Sequence, residues 1–151
     1  MYDYDLSAEG VIRPENAPQV RQIGHISLGR FFDVVFSPKG SDYLILATTA
    51  GIVKLSTPEL QEMGIIYTPS KTYALAISSD GKIIASGGPF GTLYLWDADS
   101  GELLHKLEGH TDSVVSLAFS PDGQTLISGG YENLVCVWDT QTGDKLAELT
   151  A

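Results

Sequence analysis

Phe119-Ser120-Pro121-Asp122-Gly123, followed fifteen residues after its glycine by Trp138-Asp139, is the stretch that decides the fold, because the chain contains copies of it. Ile77-Ser78-Ser79-Asp80-Gly81 and Phe36-Ser37-Pro38-Lys39-Gly40 precede it, their closing glycines 41 and 42 residues apart. Leu95-Trp96-Asp97 keeps the same period ahead of Val137-Trp138-Asp139, and Leu55-Ser56-Thr57 reads as a worn first copy, with Ser56 in the place of tryptophan. Sliding residues 77–107 onto 119–149 without a gap yields 11 identities in 31 positions, too many for chance at one fixed offset. Repeats of 40–45 residues are the signature of stacked units, each unable to bury its apolar surface alone.

Each unit reads as four short strands. In the third, Ser113–Phe119 and Gln124–Gly129 flank Asp122-Gly123, a pair suited to a type I′ hairpin turn. Leu134–Trp138 follows the turn Tyr131-Glu132-Asn133, and a more polar strand, Asp144–Leu149, closes the unit. Inner strands that are apolar at nearly every position need cover on both faces. The polar fourth strand suits an exposed sheet edge, where charge discourages pairing with other chains. No segment has the 3.6-residue periodicity of a helix, so the chain is expected to be all-β. Four-stranded sheets with two apolar faces must stack on copies of themselves, which predicts propeller blades.

Composition restricts the function. With 43% hydrophobic and 19% charged residues, the 151-residue chain is ordinary globular material. Nine Lys and Arg against 19 Asp and Glu give a net charge of −10, which disfavours nucleic acid as a partner. Cys136 is the only cysteine; within Leu134–Trp138 it reads as a small buried hydrophobe. The acidic start Met1-Tyr2-Asp3-Tyr4-Asp5 lacks the pattern of a signal peptide, and Tyr43–Val53 is too short for a membrane helix, so the expectation is a cytoplasmic chain with no membrane partner.

Gly109-His110, Phe119–Gly123, Ser128-Gly129 and Trp138-Asp139, in that order and spacing, resemble the WD40 signature. The second unit retains Asp80-Gly81, Ser86-Gly87 and Trp96-Asp97. Val11–Ile23, with Pro14-Glu15-Asn16-Ala17, resembles the lead-in to the first blade of large bacterial WD40 proteins. The resemblance implies an N-terminal lead-in with an outer closing strand over 1–23 (Gln19–Ile23), a degenerate blade over 24–67, and two further blades over 68–109 and 110–151. Three blades cannot surround a channel, so the expectation is the N-terminal part of a larger protein: further blades in cis, or self-association.

In that family a hydrogen-bonded network joins a loop His, a strand Ser or Thr, a strand Trp and a turn Asp. Carried over, it implies His110, Ser128 and Trp138 in the third blade, with Glu132 at the Asp position. In the second it implies Ser86 and Trp96, with Phe90 at the turn and Thr68 or Pro69 where His would fall. Buried indole and imidazole nitrogens need partners, so these residues are structural. Partners of the family commonly dock on the loop face, whose positions here include Arg30, Lys71, Phe90, Asp112 and Tyr131. Phe90 and Tyr131 are aromatics in polar turn positions; they would either anchor a partner or pack on a neighbouring blade.

No catalytic, cofactor or metal site is expected. His25, His105 and His110 do not have the spacing of zinc ligands; His25 reads as a loop residue and His105 as a solvated side chain of an outer strand. Gly87-Gly88-Pro89-Phe90-Gly91 precedes a strand rather than a helix, unlike a phosphate loop. Asp97-Ala98-Asp99-Ser100-Gly101 has its glycine one position early for a calcium loop. The function expected is a scaffold binding a protein or peptide; the alternative is a sensory or regulatory propeller attached to a kinase or NTPase domain.

Overall fold

The computed structural model describes residues 29–38 and 42–150. The closing strand expected at Gln19–Ile23, and His25, lie outside them. The described residues form twelve strands in three four-stranded antiparallel sheets and no helix. The first blade is β1 (Phe31–Phe36), β2 (Tyr43–Thr48), β3 (Gly51–Ser56) and β4 (Glu62–Ile66). The second is β5 (Ala74–Ile77), β6 (Ile83–Gly87), β7 (Leu93–Asp97) and β8 (Leu103–Leu107). The third is β9 (Val114–Phe119), β10 (Thr125–Gly130), β11 (Leu134–Asp139) and β12 (Lys145–Thr150). Each sheet is a meander in sequence order, and β1, β5 and β9, the first strands of the three blades, pack side by side.

Apolar side chains on both faces of the middle strands make the blades stack. Ala85, Leu93, Leu95 and Leu107 of the second blade meet Val114, Leu126, Cys136 and Trp138 of the third. The opposite face of the second blade, with Leu75, Ile84, Tyr94 and Trp96, meets Tyr43, Ile45, Ala47 and Ile52 of the first. Cys136 is fully buried and its thiol is pushed up in pKa by that burial, as its apolar surroundings require.

Two sequence expectations need correction. The hairpin at Asp122-Gly123 is not a type I′ turn: Gly123 has φ +71, but Asp122 is not left-handed. Pro121 presets the second residue of an ordinary turn, Ser120–Gly123, closed by Gly123 N–H donating to Ser120 O at 2.9 Å. Asp122 Oδ1 stabilises it by accepting from Ser120 Oγ and Gln124 N. A type I′ pattern occurs instead at Pro89–Thr92, where Phe90 (φ +59) and Gly91 (φ +69) are both left-handed.

The second correction concerns the worn copy. Asp97 N–H donates to Glu102 O and Asp139 N–H to Asp144 O; the corresponding donor in the first blade is Ser56, bonded to Gln61 O. Ser56 therefore occupies the aspartate position, and Leu55 stands where Trp96 and Trp138 stand. The first blade has one extra residue between Ser37 and Tyr43, and one fewer in its β2–β3 turn, where Thr48 pairs directly with Gly51. The two changes cancel in the glycine spacing but shift the strands between them.

Candidate functional site

The turns β2–β3, β6–β7 and β10–β11 share one rim with the segments that enter the inner strands. Backbone bonds join them: Thr49 N–H to Arg30 O, Tyr73 N–H to Gly87 O, and Tyr131 N–H to Ser113 O. This front rim carries all five residues expected for partner binding. Arg30 and Lys71 are exposed at strand entries, and Asp112 is exposed with Oδ1 accepting from Ser113 N at 2.6 Å. Phe90 and Tyr131 cap the β6–β7 and β10–β11 turns with 87% and 69% of their surfaces open among the described residues, and Phe90, which lies between two blades, packs on neither.

Phe32, Tyr73 and Val115 escaped the sequence reading. They stand 41 and 42 residues apart, at equivalent places where the three inner strands begin. Phe32 and Tyr73 meet edge to face, centroids 5.2 Å apart. With Ser113 and Tyr131 these three line an open hollow of about 490 Å³. The signal was available in the repeat offset, but an aromatic at the start of a strand is also a common core residue.

Behind the rim lies the third-blade network. Trp138 Nε1–H donates to Ser128 Oγ at 2.8 Å, and Ser128 Oγ lies 2.7 Å from His110 Nε2. His110 Nδ1 lies 2.6 Å from Glu132 Oε1, which also accepts from Thr111 N at 3.1 Å. One assignment fits these contacts: Ser128 Oγ–H donates to His110 Nε2, and His110 Nδ1–H donates to Glu132 Oε1. The extra methylene of Glu132 does not stop it from reaching the imidazole, although its Oε2 is buried without a hydrogen bond. Burial pushes the Glu132 carboxyl up, but hydrogen bonds from its own backbone, His110 and Thr111 outweigh this and leave the pKa lowered.

Serine, histidine and carboxylate in line have the order of a hydrolytic triad. Here Ser128 is wholly buried and its oxygen is occupied by the indole N–H, so the hydroxyl cannot meet a substrate. In the second blade Trp96 Nε1–H donates to Ser86 Oγ at 2.8 Å. Thr68 turns instead to Ser70 O and Thr72, so that network stops at two members.

The loops weighed as ligand sites are turns. Asp97 Oδ1 accepts from Asp99 N, Ser100 N and Ser100 Oγ, and hydrogen bonding by Ser100 holds its carboxyl below the ordinary range. Among the described residues no group of three or more His, Cys, Asp or Glu side chains is arranged to hold a metal. Gly91 lets the β6–β7 turn press on the third blade; a Cβ there would come within 2.1 Å of His110 O. His105 is not simply solvated: its Nε2 lies 3.0 Å from Gln141 O in the next blade.

The family model described as "WD domain, G-beta repeat" matches residues 64–97 and 101–139. The chain belongs to the WD40 β-propeller family. This WD40 chain is 39% identical over 68 residues to the protein named "Probable serine/threonine-protein kinase PkwA" of Thermomonospora curvata, covering 45% of the chain and 9% of that protein. It is 51% identical over 35 residues to "Small ribosomal subunit protein RACK1y" of Oryza sativa subsp. japonica, 23% of the chain and 10% of that protein. Solved structures of U3-55K and of the RRP9 WD40 repeats superpose with a TM-score of 0.77 each, at 26% and 27% identity, over 85% of the chain and 41% of each solved chain. The chain thus spans about a tenth of those curated relatives' lengths. WD40 propellers are in general interaction scaffolds rather than enzymes.

Proposed function

We propose that this WD40 chain is an interaction module whose front rim binds a protein or peptide. The observation that carries the reading is Phe90: a bulky aromatic held at φ +59 and 87% exposed costs stability and contributes no packing to the blades. On the same rim Tyr131, Phe32 and Tyr73 line the hollow, and aromatics are the usual anchors of interfaces. Arg30, Lys71 and Asp112 provide a polar margin. The net charge of −10 supports a protein rather than a nucleic acid on this rim. A photo-crosslinking residue at position 90 should capture a partner that Tyr131→Ala releases, while the same residue at position 141 on the opposite rim should not. Equal capture from both rims would refute the reading.

A second reading, a regulatory propeller attached to a kinase, is favoured by the match to the kinase-named protein. It uses the same rim and differs in what the propeller reports to.

The third blade also presents an apolar face, including Ile127 (46% exposed) and Leu149 (69%), at positions equivalent to Ala85 and Leu107 of the second blade, which the third blade buries. Such a face favours association, either with a further blade or with another copy of the chain.

A further inference from the structure

The contact between the second and third blades is sealed at its outer edge by His105. Its ring lies over Gly143, where a Cβ would come within 3.0 Å of Nδ1, and its Nε2–H donates to Gln141 O. The first blade has Gly64 at this position: Lys54 pairs with Gly64 as Leu95 pairs with His105. On the facing turn, Asp99 and Gly101 stand 42 residues before Gln141 and Gly143. The ring is missing, and a slot of about 170 Å³ remains between β4 and the turn Ala98–Gly101. Gly64 opens directly on it, since a Cβ there would meet nothing within 4 Å. Pockets for drug-sized ligands begin near about 300 Å³, so this one suits a single side chain.

The walls state which kind. Ile45, Ile52, Ile66 and Ile84 are apolar, and Met63 lies exposed at the entrance. Lys54 replaces the leucine of the second blade. Its Nζ sits 4.0 Å from the centroid of the Tyr43 ring and 3.5 Å from Ala98 O, with no ion pair among the described residues. An ammonium in this place attracts a second aromatic face and repels a protonated imidazole. The Asp99 carboxylate, near enough to act on the Tyr43 phenol, disfavours an anionic occupant. The backbone carbonyl of Asp99 corresponds to the Gln141 acceptor that His105 uses.

We propose that the slot between the first and second blades binds a neutral aromatic side chain of a partner polypeptide, a tryptophan foremost, its ring where His105 lies one blade later and its N–H directed at Asp99 O. This is a second contact surface, on the outer edge and separate from the front rim.

The test is an NMR titration of the isotope-labelled full chain with N-acetyl-tryptophanamide, with N-acetyl-leucinamide as the control. The expected result is saturable shifts of the Gly64, Ile66 and Gly101 amides with the tryptophan probe and at least tenfold weaker ones with leucine. Gly64→His should fold, as shown by an unchanged melting transition, and weaken the tryptophan probe at least tenfold by filling the slot from within. Lys54→Met should weaken it severalfold, and Phe90→Ala should leave it unchanged. Equal response to leucine, shifts scattered away from the slot, or undiminished binding to folded Gly64→His would each overturn the proposal.

Discussion

Trp138→Ala removes the largest fully buried side chain among the described residues, and its cost follows from the structure. Tryptophan buries about 150–250 Å² in a core, so at about 25 cal/mol per Å² the lost transfer energy is about 4–6 kcal/mol, of which relaxation recovers part. The indole N–H also leaves Ser128 Oγ, a net loss of about 1 kcal/mol, although Ser128 keeps His110 as a partner. The expected destabilisation is about 3–5 kcal/mol, the usual range for a buried tryptophan. The register of the first blade supplies the comparison. Leu55→Ala, at the equivalent buried position, should cost about 2–4 kcal/mol by cavity formation alone. Ser56→Ala, one residue away, forfeits only its Oγ contact with Gln61 N and should cost under about 1 kcal/mol. Urea unfolding followed by tryptophan-independent circular dichroism separates the three; with m near about 2 kcal/mol/M, Trp138→Ala should lower the midpoint by about 1.5–2.5 M. Equal midpoints for Trp138→Ala and Ser56→Ala would refute the network assignment. A Ser56→Ala effect larger than that of Leu55→Ala would refute the register.

Phe90→Asn creates the Asn-Gly pair that type I′ turns favour, so it should raise stability by about 1 kcal/mol, seen as a melting point about 2–4 °C higher, while weakening partner capture. Tyr131→Ala should weaken capture with little change in melting. The carboxyls of Asp97 and Asp139 are held below their ordinary value by turn hydrogen bonds, from Ser100 and Thr142 first. A depressed folded-state pKa contributes stability that is present above the unfolded value and lost as pH falls through the folded one. Denaturant midpoints should therefore be level near neutrality and fall below about pH 4, and Asp139→Asn should flatten that fall. Light scattering on the purified chain should show association that increases with concentration and that Ile127→Glu with Leu149→Glu reduces; a monomer at high concentration would contradict it.

The repeat offset determined that the chain is built of similar stacked units, and the short apolar strands between turn residues, with no helical periodicity, made those units β-sheets. It also marked Trp138, Trp96 and their serine partners, since a buried indole N–H must find an acceptor whatever the surroundings. The glycine offset of 41 residues already sets Leu55, not Ser56, against Trp96, and reading Ser56 there slipped by one residue; the compensating one-residue changes between Ser37 and Gly51 appear only in the strand pairing. The conformation of Phe90 depends on its turn, and that of Asp122 on the proline before it, neither of which residue preference alone resolves. Phe32, Tyr73, Val115 and Tyr131 are far apart in the chain and become one surface only when the inner strands stack. The slot at Gly64 is the clearest case. A glycine in a strand says nothing about space, and the missing ring becomes a cavity only because the next blade lies opposite, at the distance that His105 spans elsewhere.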